Sequence, residues 1–456
     1  MELDLFVTPG LGDNSYLLVS GGEAAAIDPQ RDVARLLDAA AARDARIRFV
    51  IETHVHNDYV SGAAELRAAT GAGIVGPARA GYAFGARPLE PGDELTVGEL
   101  TLRAMATPGH TFEHTAYLLR EPGASAPTAL FSGGSLIVGS AGRTDLLGPE
   151  RTEELTRLQF RTMRSLAELP DEVLLLPTHG AGSFCATSAP GERRTSSLGA
   201  ERIANPALTA VDEALFVQQQ TTGLQAYPHY YAHMAPINRA GPAVFGEVPL
   251  PPTRSADEVA GMLEAGAWLV DARDGGSFAT AHVPGSLNIP LEESFGSYVG
   301  WLVPFGAEVV LLLPDRSDLV EASTQLFRIG YERLGGRLEG GVEAWRASGR
   351  AVRSYPTITI ADLVDELAGG VAGDVTDVRQ RSEWETGHLD DTRHVFIGDL
   401  GDRLEEFDTT AATTVVCASG YRSAMAASVL DRAGRPVRLV PKSGIPRALK
   451  ILARST

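Results

Sequence analysis

The amino-acid sequence predicts an α/β protein with three domains. Apolar strands alternate with amphipathic helices through the first half, and one strand–helix pattern of roughly 100 residues occurs twice in the second half. The chain has 456 residues, which at about 150 residues per domain corresponds to three domains. Its composition, 44% hydrophobic and 21% charged, is that of an ordinary globular protein.

Four patterns in the first half predict individual strands and helices. Residues 14–28, NSYLLVSGGEAAAID, predict two strands joined by a Gly-Gly turn, and residues 32–45 have the apolar spacing of a helix. Residues 47–53, IRFVIET, predict a buried strand, and residues 61–71 predict a helix that ends at a glycine. Residues 241–255 are proline-rich and lack a period, which indicates a linker.

Charge and cysteine content limit the partners and the compartment. The net charge of -18 argues against nucleic acid and anionic membranes as partners. The sequence shows neither a signal peptide nor an apolar run of the roughly 20 residues that span a bilayer. Its two cysteines, Cys185 and Cys417, lie far apart in sequence. We therefore expect two free thiols in a reducing cytoplasm.

The second half of the chain repeats itself. Residues 268–290 correspond to residues 373–397, and residues 308–330 correspond to residues 413–434. In each copy a strand ends in Asp-x-Arg, and a histidine precedes the next strand. Two copies with one spacing predict two homologous α/β domains. The predicted domain boundaries are 1–245, 252–352 and 356–456.

The second copy contains a loop suited to nucleophilic chemistry. In VVCASGYRSAM an apolar strand ends at Cys417, and a loop that closes with Arg422 and Ser423 leads into a helix. Loop N–H groups, the helix N-terminus and Arg422 all favour the thiolate, which is the nucleophile. A lone cysteine at a strand end is more often structural, but the Cys-x4-Arg spacing favours a reactive one. Phosphatases bind an oxyanion in such a loop, so the loop alone leaves the substrate open.

This second copy resembles a rhodanese, a sulfurtransferase domain. The resemblance rests on the Asp-Val-Arg strand end at 377–379, on EWETGHL and on CASGYRS. It implies that Cys417 carries a persulfide sulfur between donor and acceptor, with Arg422 assisting catalysis. The substrate-binding residues that it implies are Ala418, Ser419, Gly420, Tyr421 and Ser423.

The first copy resembles an inactive rhodanese domain. Alignment of the two copies places Leu313 opposite Cys417 and Asp318 opposite Arg422. The first copy therefore has neither the thiol nor the cationic loop, and packing or scaffolding is its expected role.

Histidines in the first half predict a metal site. They occur in THVHND, in TPGHTFEHTAYLL and in LLPTHGAGSFC, each after an apolar strand. A single histidine would more often be a structural hydrogen-bonding residue, but several in such positions are better explained by convergence on one site. These residues are His54, His56, His110, His114 and His179.

The first half resembles the metallo-β-lactamase fold, an αββα sandwich. Within that fold it is most similar to the branch that contains glyoxalase II and the persulfide dioxygenases. The similar motifs are NSYLLVS, AIDPQRD, TPGHT, GRTDLL, NPAL and INRAGP. With the second half, the resemblance is to a persulfide dioxygenase fused to two rhodanese domains, and it implies one iron(II) per chain.

Two positions depart from the pattern of this family. Tyr59 replaces the last histidine of His-x-His-x-Asp-His, which argues against a binuclear zinc hydrolase. Gly134 stands where the family's iron-binding aspartate is expected. The resemblance therefore implies a weak iron site, in which Asp58 or water substitutes for the aspartate, or a site that has lost its metal. The candidate ligands are His54, His56, Asp58 and His110, with His179 at the rim.

Three functions are compatible with these features. The first is a persulfide dioxygenase–sulfurtransferase that oxidises a low-molecular-weight persulfide to sulfite and transfers sulfane sulfur through Cys417. The second is a sulfurtransferase whose lactamase-like domain is metal-poor, and the third is a thioester hydrolase of the glyoxalase II type. The expected partners are a thiol persulfide, thiosulfate or sulfite, and a second copy of the chain in a homo-oligomer. Cys185 is either a second sulfur relay or a buried small residue.

Overall fold

The structure is a computed structural model that describes residues 2–180, 182–187 and 193–455. None of the helices in these ranges is long and apolar enough to cross a membrane. The chain divides into two compact units, with the division after Val248; Phe327–Gly330 cluster with the first unit.

The first sheet of the first unit has six strands that follow one another in sequence order. The first three strands pair antiparallel with one another. The third strand also pairs with the fourth in parallel, and the remaining pairs are parallel as well. The strands are β1 (Glu2–Thr8), β2 (Asp13–Ser20), β3 (Glu23–Ile27), β4 (Arg46–Ile51), β5 (Gly73–Pro77) and β6 (Arg87–Leu89).

The second sheet also has six strands, and a small hairpin accompanies it. The strands are β7 (Glu94–Val97), β8 (Leu100–Ala106), β9 (Thr115–Arg120), β10 (Ala129–Gly133), the hairpin pair β11 (Leu136–Ile137) and β12 (Ser140–Ala141), β13 (Leu174–Pro177) and β14 (Ser196–Ser197). Their order in the sheet is β14-β13-β10-β9-β8-β7, and only the β10–β13 pair is parallel.

Helices cover the outer faces of both sheets. They are α1 (Ala34–Ala42), α2 (Ala63–Thr70), α3 (Pro149–Leu166), α4 (Leu198–Ala204), α5 (Pro206–Thr209), α6 (Glu213–Thr221) and α7 (Tyr231–Ala240). One apolar core lies between the sheets, a second lies between α1, α2 and the first sheet, and a third lies between α3 and the second sheet. This arrangement is the αββα sandwich that the sequence predicts.

The predicted elements of the first half are present. Strands β2 and β3 flank a turn at Gly21 and Gly22, and β4 covers most of IRFVIET. Helix α2 ends at Gly71, whose φ of 73° is in the left-handed region that glycine adopts without a Cβ clash.

The second unit contains two parallel sheets, one in each sequence repeat. The first has the order β15-β19-β18-β16-β17. Its strands are β15 (Thr253–Arg254), β16 (Trp268–Asp271), β17 (Leu287–Asn288), β18 (Val309–Leu312) and β19 (Leu334–Leu338). The helices of this repeat are α8 (Ala256–Glu264), α9 (Gly275–Thr280), α10 (Phe295–Leu302), α11 (Leu319–Arg328) and α12 (Gly341–Ala347), with a 3₁₀ turn at Arg316–Asp318.

The sheet of the second repeat has the order β21-β20-β22-β23. Its strands are β20 (Asp374–Asp377), β21 (Arg393–His394), β22 (Thr413–Val416) and β23 (Val437–Leu439). The helices are α13 (Ile360–Ala368), α14 (Arg381–Thr386), α15 (Tyr421–Arg432) and α16 (Ile445–Ser455), with a 3₁₀ segment at Ile397–Glu406. Each repeat has its own apolar core.

The Asp-x-Arg strand ends of the two repeats make the same contacts. Arg273 donates to both carboxylate oxygens of Asp271, and Arg379 does the same to Asp377. Each guanidinium also donates to a carbonyl oxygen eight residues further on. The motif therefore fixes the turn after the strand in both domains.

The histidine of each repeat makes the same two contacts. The His282 ring stacks on Phe278 at 4.1 Å, and the His388 ring stacks on Trp384 at 3.8 Å. In both cases the histidine Nδ1 donates to the carbonyl oxygen of that aromatic residue. These histidines are structural, and the difference between the repeats lies in the loops that follow β18 and β22.

Candidate functional site

Loops at the ends of three strands bring the histidines of the first unit together. His54 follows β4, His110 and His114 lie between β8 and β9, and His179 follows β13. The His54 ring centroid lies 4.9 Å from that of His110 and 5.3 Å from that of His179. All four side chains are buried.

Three of these imidazoles form a group whose ligand atoms lie within 4.8 Å of one another: His54, His110 and His179. The Nε2 atoms of His54 and His179 are 3.3 Å apart. The Nε2 of His110 is buried and has no hydrogen-bond partner among the described residues. A buried nitrogen without a partner is costly unless it meets a proton or a metal, so the group fits a cation.

The opposite nitrogen of each ring is held in place. Each Nδ1 makes a hydrogen bond of 2.8 Å, and the partners are Thr53 Oγ1 for His54, the Arg143 carbonyl oxygen for His110 and Asp13 Oδ1 for His179. Such contacts fix the tautomer and orientation of metal-binding histidines.

These three histidines are in the protonation state that a metal requires. Burial lowers the pKa of His54 and of His110 well below the usual range, and the neighbouring imidazoles lower both further. Burial also lowers the pKa of His179. Neutral imidazoles bind metals, so the group needs no deprotonation at neutral pH.

His56 belongs to a second group, with Asp58 and His179. Its Nε2 lies 3.0 Å from Glu52 Oε2 and 3.3 Å from Asp28 Oδ1, while its buried Nδ1 has no partner among the described residues. Burial would lower the pKa of His56, but the charge of Asp28 and the hydrogen bonds to both carboxylates raise it well above the usual range.

Two carboxyl groups face this second group. Asp58 Oδ2 lies 3.4 Å from His179 Nδ1, and the Asp58 carboxyl also interacts with that of Asp13. Burial raises the pKa of Asp58 and of Asp13 to about 7. The structure therefore brings every predicted ligand into one cluster. His179, expected at the rim, belongs to two of the three groups of candidate ligands among the described residues, and Asp28, His54 and His56 form the third.

Gly134 leaves the three-histidine group without a carboxylate. A Cβ at this position would overlap His110 Cδ2 and would lie 2.9 Å from His179 Cδ2. The sequence alone suggests that an aspartate here would strengthen iron binding, but the rings of two candidate ligands occupy its space. The Gly134 N–H also donates to His114 Nε2 at 2.9 Å, so His114 positions this loop rather than facing the metal group.

Tyr59 lies against His56 at the position that departs from the binuclear pattern. Its ring stacks on the His56 ring at 4.3 Å, and its hydroxyl lies 3.0 Å from His56 Nε2 and donates to the Asp28 carbonyl oxygen. Burial raises the pKa of Tyr59, so the phenol stays protonated. A neutral phenol at this position favours a mononuclear site.

Cys185 is packed as a structural residue. Its side chain is fully buried, and burial raises the pKa of its thiol well above the usual range. Asp58 and Asp13 raise that pKa further. A thiol of this kind is a poor nucleophile, which favours the structural role over the sulfur relay.

In the Cys417 loop one backbone N–H among the described residues donates to the sulfur, where the sequence suggests several. Cys417 follows β22, is 1% exposed, and accepts a hydrogen bond on Sγ from the Gly420 N–H at 3.2 Å. Its Sγ lies 3.6 Å from Ser423 Oγ, which donates to the Val440 carbonyl oxygen. Helix α15 begins at Tyr421, so the loop is two residues shorter than the sequence suggests.

Gly420 is required by the turn that closes this loop. Its φ is 106°, and a Cβ here would overlap the Pro441 carbonyl oxygen. The other predicted substrate-binding residues differ in access, since Ala418 is half-buried, Ser419 is exposed and Ser423 is buried.

Arg422 is paired with a carboxylate that the sequence analysis did not single out. Both of its terminal nitrogens donate to Glu383, and the Nη2–Oε1 distance is 2.7 Å. Burial would lower the pKa of Arg422, but the hydrogen bonds to Glu383 raise it. The residue lies in EWETGHL, directly before Trp384, so the motif that indicated the family contained this partner.

Tyr421 contacts the other repeat of the second unit. Its hydroxyl donates to the Pro290 carbonyl oxygen at 3.1 Å, and its ring meets the Tyr298 ring edge-on at 5.5 Å. The first repeat thus packs against the residue that begins α15.

The corresponding loop of the first repeat has different chemistry. Leu313 directly follows β18, as Cys417 follows β22. Asp318 accepts a hydrogen bond from the Asp315 N–H in a capping turn. This loop offers neither a thiol nor a cation at the positions of Cys417 and Arg422.

Comparison with known proteins defines the class. The model of the metallo-β-lactamase superfamily matches residues 8–179, and that of the rhodanese-like domain matches residues 255–348. A hydroxyacylglutathione hydrolase of Acidiphilium cryptum is 36% identical over 38% of this chain, which spans 66% of that relative's length. One of Rhodobacter capsulatus is 30% identical over 47% of this chain and 90% of its own length.

A solved structure shows the same architecture over a larger part of the chain. The metallo-β-lactamase from Staphylococcus aureus subsp. aureus COL is 29% identical, with a TM-score of 0.67, and the match covers 74% of this chain and 98% of that one. The chain belongs to the metallo-β-lactamase superfamily. It combines a lactamase-fold domain, whose histidine cluster is suited to a metal, with a rhodanese-like domain.

Proposed function

We propose that this protein is a persulfide dioxygenase–sulfurtransferase. In this proposal the lactamase-fold domain oxidises a low-molecular-weight persulfide to sulfite and thiol. The second repeat carries sulfane sulfur on Cys417 and exchanges it with thiosulfate or sulfite. We expect the protein to act in the cytoplasm, where its thiols stay reduced.

The hydrogen bond from the Gly420 N–H to Cys417 Sγ carries the sulfur-transfer half of the proposal. A donated N–H and the start of α15 both stabilise a negative sulfur. The thiolate attacks the outer sulfur of the donor, a new S–S bond forms, and the old S–S bond breaks. From thiosulfate the products are the Cys417 persulfide and sulfite, so atoms and electrons balance.

The three neutral imidazoles carry the oxidative half. His54, His110 and His179 are the residues that would hold the metal, and Thr53, Arg143 and Asp13 orient their rings. Iron(II) bound there would supply redox chemistry with dioxygen. The protein's own contribution is a buried cluster with fixed rings, from which bulk water is excluded, and a phenol at Tyr59 that disfavours a second metal.

A hydrolase is the second candidate, because two observations favour it. The curated relatives are named hydroxyacylglutathione hydrolase, and three neutral histidines are a ligand set that zinc uses in catalytic sites. Tyr59 weighs against the binuclear form of that chemistry. A sulfurtransferase with a metal-poor first domain is the third candidate, and the glycine at position 134 favours it.

One set of measurements on the full-length protein separates these candidates. Metal content is determined by mass spectrometry, dioxygen uptake is followed with glutathione persulfide, and thioester hydrolysis is followed with a hydroxyacylglutathione. We expect iron and persulfide-dependent oxygen uptake. Zinc with thioester turnover would replace the proposal by the hydrolase, and protein without metal binding would leave the sulfurtransferase alone.

A further inference from the structure

The two arginines nearest the Cys417 loop each have a carboxylate partner. Arg422 lies in the first turn of α15, directly after the loop, and Arg379 follows the neighbouring strand β20. Their acidic partners are Glu383 for Arg422 and Asp377 for Arg379. The loop therefore lacks the net positive charge that its sequence suggests.

The pairing of Arg422 leaves little room for an anionic substrate on its guanidinium. An unpaired arginine binds a sulfonate or carboxylate through two parallel N–H donors. Here Glu383 already occupies the two terminal nitrogens. Burial would raise the pKa of Glu383, but its hydrogen bond to Arg422 lowers it, so the carboxylate is ionised at neutral pH.

The first repeat places a neutral side chain beside this ion pair. The Tyr298 ring meets the Tyr421 ring edge-on at 5.5 Å, and burial raises the pKa of Tyr298 to about 12, so its phenol is uncharged at neutral pH. The contact therefore adds no cation next to the arginine that Glu383 already neutralises.

We propose that Glu383 makes the Cys417 site prefer sulfur donors whose reactive end carries a single negative charge over the thiosulfate dianion, which still reacts but more slowly. This inference rests on the proposed sulfurtransferase function and names its donor class. Low-molecular-weight persulfides fit this class, since the terminal sulfur carries at most one charge. The wild-type protein should therefore take sulfur from a persulfide faster than from thiosulfate.

Two sulfur donors of nearly equal size test the charge dependence. Thiosulfate carries two charges and methanethiosulfonate carries one, because a methyl group replaces one oxygen. The Cys417 thiolate attacks the outer sulfur of either donor. The products are the same Cys417 persulfide with sulfite in one case and methanesulfinate in the other. Loading is followed by intact-protein mass, and kcat/KM by transfer to cyanide.

The deciding variant is Glu383→Gln, which removes one charge and keeps the side-chain shape. We expect kcat/KM for thiosulfate to rise about fivefold to tenfold, and that for methanethiosulfonate to change less than twofold, because only the dianion regains a strong interaction with Arg422. Glu385→Gln is the matched control, since Glu385 lies on the same helix and pairs with Arg381. An unchanged ratio between the donors, or an equal loss with both, would overturn the selectivity.

The wild-type protein offers an independent measurement. If the site has no net positive charge, the thiosulfate rate should stay level or rise as ionic strength increases, because screening removes only repulsion. A steep fall with salt would show an attractive cationic site and would overturn the inference. Failure of both donors to add sulfur to Cys417 would instead reject the proposed sulfurtransferase function itself, and the inference with it.

Discussion

The two candidate sites of this protein differ in how they are built. The Cys417 site is one loop of a few residues between β22 and α15, and its backbone supplies the hydrogen bond to sulfur. The histidine cluster is assembled from loops after β4, β8 and β13, and the contact between His54 and His179 joins residues 125 positions apart. The first site depends on local backbone geometry, while the second depends on how two sheets pack.

This difference has a consequence for mutations. In the loop site a substitution acts on the nucleophile or on the turn that holds it. In the cluster each ligand packs against other buried residues. A substitution of one histidine or of a glycine beside the rings therefore displaces several ligands together. The following substitutions, ordered from the largest expected effect, measure how far this contrast holds.

Cys417→Ser should abolish sulfur loading and lower transfer to cyanide at least about a thousandfold, because a hydroxyl at neutral pH is a far weaker nucleophile than a thiolate. Intact-protein mass after incubation with a sulfur donor measures the loading. Cys185→Ala is the control and should load one sulfur like the wild type, because Cys185 is a buried residue of the other unit. Loading that persists in Cys417→Ser would place the carrier elsewhere.

His110→Ala should weaken metal binding by about a hundredfold or more, since loss of an orienting partner alone typically costs 10–100-fold. Metal titration followed by elemental analysis measures the stoichiometry. His229→Ala is the matched control, because His229 is exposed. Equal metal content in both variants would show that the three-histidine group is not the site.

Gly420→Ala should lower the sulfur-transfer rate by about tenfold or more, because the new Cβ would overlap the Pro441 carbonyl oxygen at a left-handed backbone position. Gly434→Ala is the control that separates backbone strain from steric overlap. Gly434 also has a left-handed φ, 71°, but a Cβ there meets no described atom within 4 Å. The comparison fails if both variants lose the same fraction of activity while remaining folded by circular dichroism.

Gly134→Ala should weaken metal binding severalfold, on the order of threefold to tenfold, because the added methyl group displaces the His110 ring. Gly134→Asp should do the same, against the expectation from the sequence alone. Gly73→Ala is the control, since a Cβ there makes only ordinary contacts, the shortest at 3.6 Å. Tighter metal binding in Gly134→Asp would show that the rings move aside and that the family's carboxylate is restored.

The sequence by itself determined the features that reside in one contiguous segment. The alternation of strands and helices predicted an α/β first half, and the resemblance of its motifs to the metallo-β-lactamase fold implied the αββα sandwich. The repeated Asp-x-Arg and His motifs predicted two similar domains. CASGYRS defined the thiol loop, because a strand, a short turn and a helix N-terminus fix the direction of their own N–H groups.

Only the tertiary structure decided the contacts between distant segments. Glu383 neutralises Arg422 across 39 positions, His179 lies in two of the three ligand groups of the described residues, and imidazole rings fill the space beside Gly134. None of these follows from local pattern, because a side chain's partner over such separations is set by how helices and sheets pack. The charge at Cys417 and the geometry of the metal cluster are therefore properties of the folded protein.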